Sequence, residues 1–297
     1  MIIEPFGVRG SYPTPGSSTI KYGGNTTCYS ISKEVDGQIK RIIIDSGSGI
    51  ISLGKEIIGN FFAKKEELNI SIFFTHLHPD HTEGFSFFAP NYFKGAELKL
   101  YGMETLGKHI EHALKDRMAP PTFPIEYSDL KSNREHIIIK GGDIVNINSE
   151  KDRIDTIVFE VEVMQAYAPS HPQQGALYYK ITDVDEDEKI ACIWDNESHI
   201  GGDKAVINFV EDCDVMIHDT MYTQEEYESN KVIVQGFGHS TYNMAIENAR
   251  HAGVKKLICT HFNPVHSDEK LDEISEELSS ISNLNIILAQ EGKKMEI

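Results

Sequence analysis

The sequence predicts a protein of the α/β or α+β class, in which helices cover the faces of β-sheets. Two observations support this class. Short apolar runs of β-branched and aromatic residues end in polar residues, as buried strands do, and helical repeats of apolar residues stand between them. The clearest strand-like runs are residues 41–45, 70–74 and 256–260. Strands that alternate with helices indicate sheets covered by helices, while the connectivity of the strands stays open.

The other elements follow from the spacing of apolar residues. Alternating patterns predict further strands at residues 155–167, 176–182 and 189–194. Helical spacing predicts one helix after Ser240 and another after Asp268. We expect irregular structure in residues 82–132, which are rich in Phe and Pro and form either a cap packed over the core or a wall of a substrate pocket or dimer surface. No linker or repeat is visible, so residues 1–297 are expected to form a single domain.

The composition narrows the class of substrate and the location. The chain has 28 Lys and Arg against 46 Asp and Glu, and its formal net charge of -18 repels polyanions at long range. We therefore expect a small anionic substrate and no long nucleic acid. The N-terminus lacks the features of a signal peptide, and no run approaches the roughly 18 apolar residues of a membrane span, which predicts a cytoplasmic protein without a membrane partner. The four widely spaced cysteines indicate neither a zinc knuckle nor a disulfide framework.

A metal-ligand motif follows the predicted strand at residues 70–74. Residues 75–81 read Thr-His-Leu-His-Pro-Asp-His. Three imidazoles and a carboxylate at this density are hard to satisfy in a core, and they are the ligand types that zinc, iron and manganese accept. A turn at Pro79 would let His76 and His78 face one ion while Asp80 and His81 face another.

This motif, together with three later segments, resembles the metallo-β-lactamase superfamily over nearly the whole chain. The resemblance implies a four-layer αββα sandwich of two mixed β-sheets flanked by helices. It also implies three further ligands: His171 for the first metal, Asp195 as the bridge between the metals and His261 for the second metal. The cofactors would be two divalent transition-metal ions per chain, zinc in the first place, with manganese or iron as alternatives. Asp45 would orient a ligand imidazole from behind, or it caps a helix.

Two segments resemble particular branches of that superfamily. Residues 236–241, Gly-Phe-Gly-His-Ser-Thr, are similar to the RNase Z-like phosphodiesterases, and this resemblance gives His239 the role of assisting proton transfer to the leaving group. The alternative is that Ser240 is an ordinary helix N-cap and His239 is incidental. The opening segments around Arg9 and Asn25 resemble bacterial cyclic-nucleotide phosphodiesterase-like proteins. These two residues are candidate phosphate contacts, or their loops are simply turns.

The resemblance implies a dinuclear metal-dependent hydrolase, in the first place a phosphodiesterase on a small phosphodiester or cyclic nucleotide. A hydroxide shared by the two ions would be the nucleophile, Asp80 would position it, and His239 would protonate the departing alkoxide. The alternatives are an ester, lactone or thioester hydrolase of the glyoxalase II type, and a non-catalytic binding protein on the same fold. The RNase Z-like motif also suggests transfer RNA maturation, which the acidic charge opposes. A homodimer formed through residues 82–132 would be consistent with the family.

Overall fold

The computed structural model describes residues 1–151, 154–166 and 175–297, and these residues form two β-sheets that face each other. The order in the first sheet is β14-β1-β2-β3-β4-β5-β6, and its strands are β1 (Ile2–Gly7), β2 (Cys28–Val35), β3 (Gln38–Ile44), β4 (Asn69–Phe73), β5 (Glu97–Gly102), β6 (Asn133–Ile138) and β14 (Met295–Glu296). Strands β3 to β6 run parallel to one another, and the other pairs are antiparallel. The first sheet is therefore mixed.

The second sheet is also mixed. Its order is β13-β12-β11-β10-β9-β8-β7, and its strands are β7 (Ile144–Lys151), β8 (Ile154–Ala166), β9 (Ala176–Asp183), β10 (Lys189–Ile193), β11 (Val215–Asp219), β12 (Lys256–Thr260) and β13 (Asn285–Leu288). Strands β10 to β13 are parallel, and β7 to β10 are antiparallel. The α-helices among the described residues are α1 (Ile50–Lys64), α2 (Pro79–Thr82), α3 (Ile110–Arg117), α4 (Lys204–Val210), α5 (Gln224–Tyr227), α6 (Tyr242–Ala252) and α7 (Asp268–Ser279). In the described part of the chain, no helix combines the length and the apolar character needed to cross a membrane.

The period-two pattern of the strands explains the layers. In β3, Ile42 and Ile44 belong to the core between the sheets, while Ile43 belongs to a second core under α1. Aromatic contacts tie the two sheets together: the ring of Tyr29 in β2 stands edge-on to Trp194, just after β10, at 5.1 Å. Helix α1 covers the outer face of the first sheet, and α6 and α7 pack against β11, β12 and β13. The result is four layers, helix–sheet–sheet–helix, as predicted.

Residues 82–132 are more regular than the sequence suggests. They contain β5, α3 and three short 3-10 helices at Glu83–Phe87, Ala89–Tyr92 and Tyr127–Asp129. Phe85 and Phe88 are fully buried in the core under α1, as a packed cap requires. Outside β5 and α3 the segment consists mainly of short 3-10 helices and loops, and β5 was not predicted because its alternation is short and lies among Phe and Pro. Phe87 is 59% exposed, and a dimer through this surface stays a prediction.

Parallel strands place polar residues from both sheets at their carboxyl ends. Asp45 follows β3, residues 75–81 follow β4, Asp195 comes soon after β10, Asp219 ends β11, and His261 directly follows β12. Three of these residues have a left-handed backbone, with φ of 59° at Asp45, 46° at Asp195 and 59° at His261. Such a conformation costs energy in a non-glycine residue and is concentrated at functional sites.

Candidate metal centre

The His-rich motif forms the wall of the centre that belongs to the first sheet. The chain leaves β4, passes through His76 and His78, and enters the single turn of α2 at Pro79, a residue that suits the first position of a helix. This turn brings Asp80 and His81 inward. His76, Asp80 and His81 are 4%, 5% and 0% exposed, so their polar atoms are directed into the protein, whereas His78 is half-buried.

The described side chains form three groups of possible metal ligands. Predicted ligands make up two of these groups, and the third combines Asp195 and His261 with Asp219 and His239. In the first group, His76 Nε2 lies 2.7 Å from His78 Nδ1 and 3.4 Å from Asp195 Oδ2. In the second group, Asp80 Oδ2 lies 3.3 Å from both His81 Nε2 and His261 Nε2. The ligand atoms within each group lie within 4.8 Å of one another. The structure thus brings together six of the seven predicted ligands, and the seventh, His171, lies outside the described residues.

Asp195 joins the two groups. Its Oδ1 is 3.1 Å from His81 Nε2 and 3.2 Å from His261 Nε2, while its Oδ2 faces His76. A carboxylate with one oxygen directed at each group has the geometry of a bridging ligand. Burial alone would raise the pKa of Asp195, but His261, His76 and His81 hold it well below its usual range. The carboxylate is therefore an anion, which is the form that binds a cation.

The chemistry of this donor set fits divalent cations. Asp80 and Asp195 are 5% and 1% exposed, so water solvates these carboxylates poorly and a bound cation would stabilise them. Within the described part of the chain, His81 Nε2 is buried and makes no hydrogen bond, although two carboxylate oxygens lie beside it. A nitrogen in this position is a natural metal ligand.

Asp45 lies directly behind His81, and its role of orienting a metal ligand stays a prediction. Its Oδ2 is 2.7 Å from His81 Nδ1 and accepts the Thr75 hydroxyl at 2.8 Å, while its Oδ1 accepts the Thr75 backbone N–H at 2.8 Å. With Nδ1 held by Asp45, His81 presents Nε2 to the ligand group. The carboxylate thereby fixes both the tautomer and the orientation of the ring.

His239 forms a buried pair with Asp219 next to the second ligand group. His239 Nδ1 lies 2.7 Å from Asp219 Oδ2, and the rings of His239 and His261 are 5.1 Å apart. Burial opposes protonation, but the negative charge and hydrogen bond of Asp219 outweigh it and raise the pKa of His239 to about 9. Asp219 was not predicted. The sequence feature that could have indicated Asp219 is the apolar run at residues 215–217, which is followed by polar residues as in the other strands at this edge.

The helix after His239 does not begin with Ser240 as its N-cap, which was the alternative interpretation of the sequence. Thr241 is the N-cap of α6, and its side chain accepts the Met244 N–H. Ser240 instead donates its hydroxyl to the Asn196 carbonyl at 2.6 Å and accepts the Ser198 N–H at 3.0 Å. Ser240 as N-cap is therefore wrong, and the two hydrogen bonds tie the His239 segment to the segment after Asp195.

The N-terminal loop contributes a backbone group that sequence reasoning missed. The Ser11 N–H donates to Asp80 Oδ2 at 2.8 Å, and Ser11 has a left-handed φ of 62°. Beside this contact lies a cleft of about 320 Å³ lined by Ser11, Tyr222, Gly236, Phe237 and His239. The ligand groups are therefore next to a space where a substrate can bind.

Arg9 and Asn25 do not serve as the phosphate contacts that the opening segments suggested. Arg9 is fully buried and donates to backbone carbonyls, among them Gly23 at 2.8 Å and His266 at 2.6 Å. Asn25 is held by Glu291, which accepts its backbone N–H at 2.6 Å and its side-chain N–H at 2.8 Å. Both residues fasten the N-terminal loop to distant parts of the chain, although Arg9 Nη2 has no hydrogen-bond partner among the described residues.

Comparison with known proteins agrees with this geometry. Residues 40–262 match the model of the family described as "Beta-lactamase superfamily domain". Ribonuclease Z of Brevibacillus brevis is 28% identical over 239 residues, which cover 70% of this chain and 72% of that protein. The metallo-β-lactamase fold protein YhfI of Bacillus subtilis superimposes with a TM-score of 0.66 at 17% identity, over 100% of this chain and 99% of that chain. The short form of human tRNase Z gives 0.60 at 17% identity, with the same coverage. The predicted fold is confirmed.

These relatives correct one expectation. The net charge predicted that no long nucleic acid is a substrate, but several relatives found by sequence are named as ribonucleases. The prediction was wrong because net charge averages over the whole chain. The carboxylates of the ligand groups count toward the -18, although bound cations would neutralise them, and a local positive centre can attract a phosphate on an acidic protein.

Proposed function

We propose that this chain hydrolyses phosphodiester bonds in nucleotide or RNA substrates. The premise is that the chain belongs to the family described as "Beta-lactamase superfamily domain" and is a metal-dependent hydrolase. The observation that carries the proposal is the buried pair of His239 and Asp219 beside the ligand groups. A thioester needs no such pair because its thiolate leaves without a proton, whereas a phosphodiester with an alkoxide leaving group needs a proton donor. Relatives named Ribonuclease Z support the same chemistry.

Each residue has a role in this proposal. Two divalent cations, when bound, would supply Lewis acidity and an activated water. His76, His78 and Asp195 would hold one, and Asp80, His81, His261 and Asp195 the other, with His171 as a further proposed ligand of the first. Asp45 keeps His81 oriented, and the Ser11 N–H keeps Asp80 oriented. His239, protonated through its contact with Asp219, delivers a proton to the departing oxygen.

Zinc is the proposed metal, with two ions per chain. Imidazole and carboxylate ligands suit zinc, and they also accept manganese and iron, so the donor set alone does not decide between them. Elemental analysis of protein purified without added metal, followed by reloading of the metal-free protein with each ion, tests this assignment. Two equivalents of zinc with full activity are expected; one equivalent, or activity with manganese or iron alone, would contradict it.

A substrate panel tests the proposed function. The metal-loaded protein should hydrolyse methyl p-nitrophenyl phosphate, 2′,3′- and 3′,5′-cyclic nucleotides or an RNA with a 3′ extension, and at least one natural phosphodiester must be turned over. p-Nitrophenyl acetate, a lactone and a glutathione thioester are the controls. Efficient hydrolysis of an ester, lactone or thioester with no phosphodiesterase activity would overturn the proposal in favour of the glyoxalase II type of hydrolase.

A further inference from the structure

The cleft beside the ligand groups contains an exposed aromatic residue. Phe237 is 54% exposed, whereas Phe85, Phe88 and Phe262 are completely buried. The cleft that Phe237 lines also contains His239, and the ring of Tyr222 stands edge-on to the ring of His239 at 6.1 Å. Among the described residues that line this cleft, there is no Lys or Arg. The cleft is therefore suited to a flat, uncharged group attached to the phosphate that the metal centre would hold.

The exposed position of Phe237 is held by specific hydrogen bonds. Gly236 and Gly238 on either side have φ of 84° and 86°, conformations that glycine adopts without strain. Their N–H groups donate to the two carboxylate oxygens of Glu197, at 2.7 Å and 2.8 Å, and the Tyr227 hydroxyl also donates to Glu197 at 2.8 Å. A loop braced in this way presents its aromatic side chain in a defined place, and the same loop leads directly into His239.

We infer that Phe237 is the platform on which a nucleobase of the substrate stacks, an inference that rests on the proposed phosphodiester hydrolysis. A nucleobase is joined through its sugar to the phosphate under attack, so a base beside His239 lies within the same cleft as Phe237. Stacking on an aromatic side chain accepts every base, because every base has a π-face. Phe237 thus makes the site selective for nucleotide phosphodiesters over simple alkyl ones without selecting a sequence.

A tryptophan reporter tests the inference without any need for turnover. The chain has one Trp, the buried Trp194, so Phe237→Trp adds one exposed indole at the platform. In the metal-loaded variant, AMP should quench this fluorescence with a saturating curve, and ribose 5-phosphate, which lacks the base, should not. Phe62→Trp is the matched control, because Phe62 is 69% exposed on α1. Quenching by AMP that is equal at the two positions, or equal for AMP and ribose 5-phosphate at position 237, overturns the inference.

An inhibition experiment gives an independent measurement. AMP and ribose 5-phosphate are compared as competitive inhibitors of methyl p-nitrophenyl phosphate hydrolysis by the wild type and by Phe237→Ala. Loss of stacking should raise the inhibition constant of AMP by about 5- to 150-fold and leave that of ribose 5-phosphate within about twofold. An unchanged ratio of the two constants contradicts the inference.

The same tryptophan reporter distinguishes a base of an RNA strand from that of a free nucleotide. It also distinguishes failure of the stacking inference from failure of the proposed function. Quenching by ApA, recorded by stopped flow before any cleavage, at a much lower concentration than AMP identifies an RNA strand as the occupant, and quenching by AMP at the lower concentration identifies a free nucleotide. If the wild type hydrolyses no phosphodiester, the proposed function fails, whereas the fluorescence result still decides whether position 237 stacks a base.

Discussion

The candidate site is assembled from two regions that are built in different ways. The ligand groups come from strand ends, and their side chains, apart from the half-buried His78, are buried and contact one another, as Asp80 contacts His261. The loop of residues 235–238, called the Phe237 loop, contains glycines with left-handed backbone and exposes its aromatic residue. Its hydrogen bonds include those to the Glu197 carboxylate, one from the Phe237 N–H to the Val234 carbonyl and one from the Gln235 side chain to the Tyr227 carbonyl. The comparison indicates a division of labour: sheets fix the reacting atoms, and a loop selects the substrate. Substitutions should therefore affect metal, chemistry and binding separately.

The largest effect is expected at Asp195, because its carboxylate faces both ligand groups. Asp195→Asn keeps the size of the side chain and removes its charge. We expect metal content to fall below two ions per chain and turnover of every phosphodiester to fall below detection, as measured by elemental analysis and initial rates. Asp203→Asn is the control, since Asp203 caps α4 and Asn caps helices equally well. Full metal content with turnover within tenfold of the wild type would show that Asp195 is not a bridge.

His239→Ala should separate chemistry from metal binding. We expect unchanged metal content and a rate loss of about 10²- to 10⁴-fold on a phosphodiester with an alkoxide leaving group. The loss should be much smaller for methyl p-nitrophenyl phosphate, because the nitrophenolate leaves without a proton. His251→Ala, on an exposed residue of α6, is the control. Equal losses on both substrates would assign His239 to binding, and loss of metal would make it a ligand.

The strands were predictable because their signals are local, and the His-rich motif after β4 is a local signal for candidate ligands. Buried strands consist of runs of β-branched residues, so the predicted strand at residues 256–260 agrees with β12, and His261 follows it directly. The contacts of Arg9 were not predictable, since the carbonyl of His266 that it binds lies 257 residues away. The hydrogen bond from the Ser11 N–H to Asp80 was not predictable either, because almost every residue type has a backbone N–H. Local pattern identifies candidate ligands, and long-range pairing decides which neighbours orient them.

Asp45→Asn should weaken metal binding without abolishing it. Asn tolerates the left-handed backbone at this position, so the change mainly removes the negative charge beside His81 Nδ1. Loss of such a partner typically lowers metal affinity or activity by about 10- to 100-fold. Competition with a chelator measures the affinity. Asp212→Asn is matched in backbone, with φ of 68°, and lies on the surface. Unchanged affinity at Asp45→Asn would mean that the contact with His81 is only structural.

The smallest effect is expected at Glu197. It tests most directly whether the Phe237 loop serves substrate binding while the strand ends serve metal binding and chemistry. Glu197→Gln leaves one oxygen to accept the N–H groups of Gly236 and Gly238 and places an NH₂ group against the other, so the brace of the Phe237 loop is weakened. Since a hydrogen bond to a charged group contributes about 1.5–3 kcal/mol, and a flexible loop recovers part of that, we expect KM for a nucleotide substrate to rise about 3- to 30-fold. Metal content should be unchanged, and kcat should fall by less than KM rises.

The control for this change is available in the same protein. Glu247 on α6 also accepts a glycine N–H, that of Gly201 at 2.6 Å, but it holds a different loop. Glu247→Gln therefore removes the same kind of contact, and KM should stay within about twofold of the wild type. If both variants raise KM equally, the effect is general loosening of the fold. If Glu197→Gln lowers kcat and leaves KM unchanged, Glu197 acts by positioning His239. The Phe237 loop would then contribute to the chemical step and not to substrate binding.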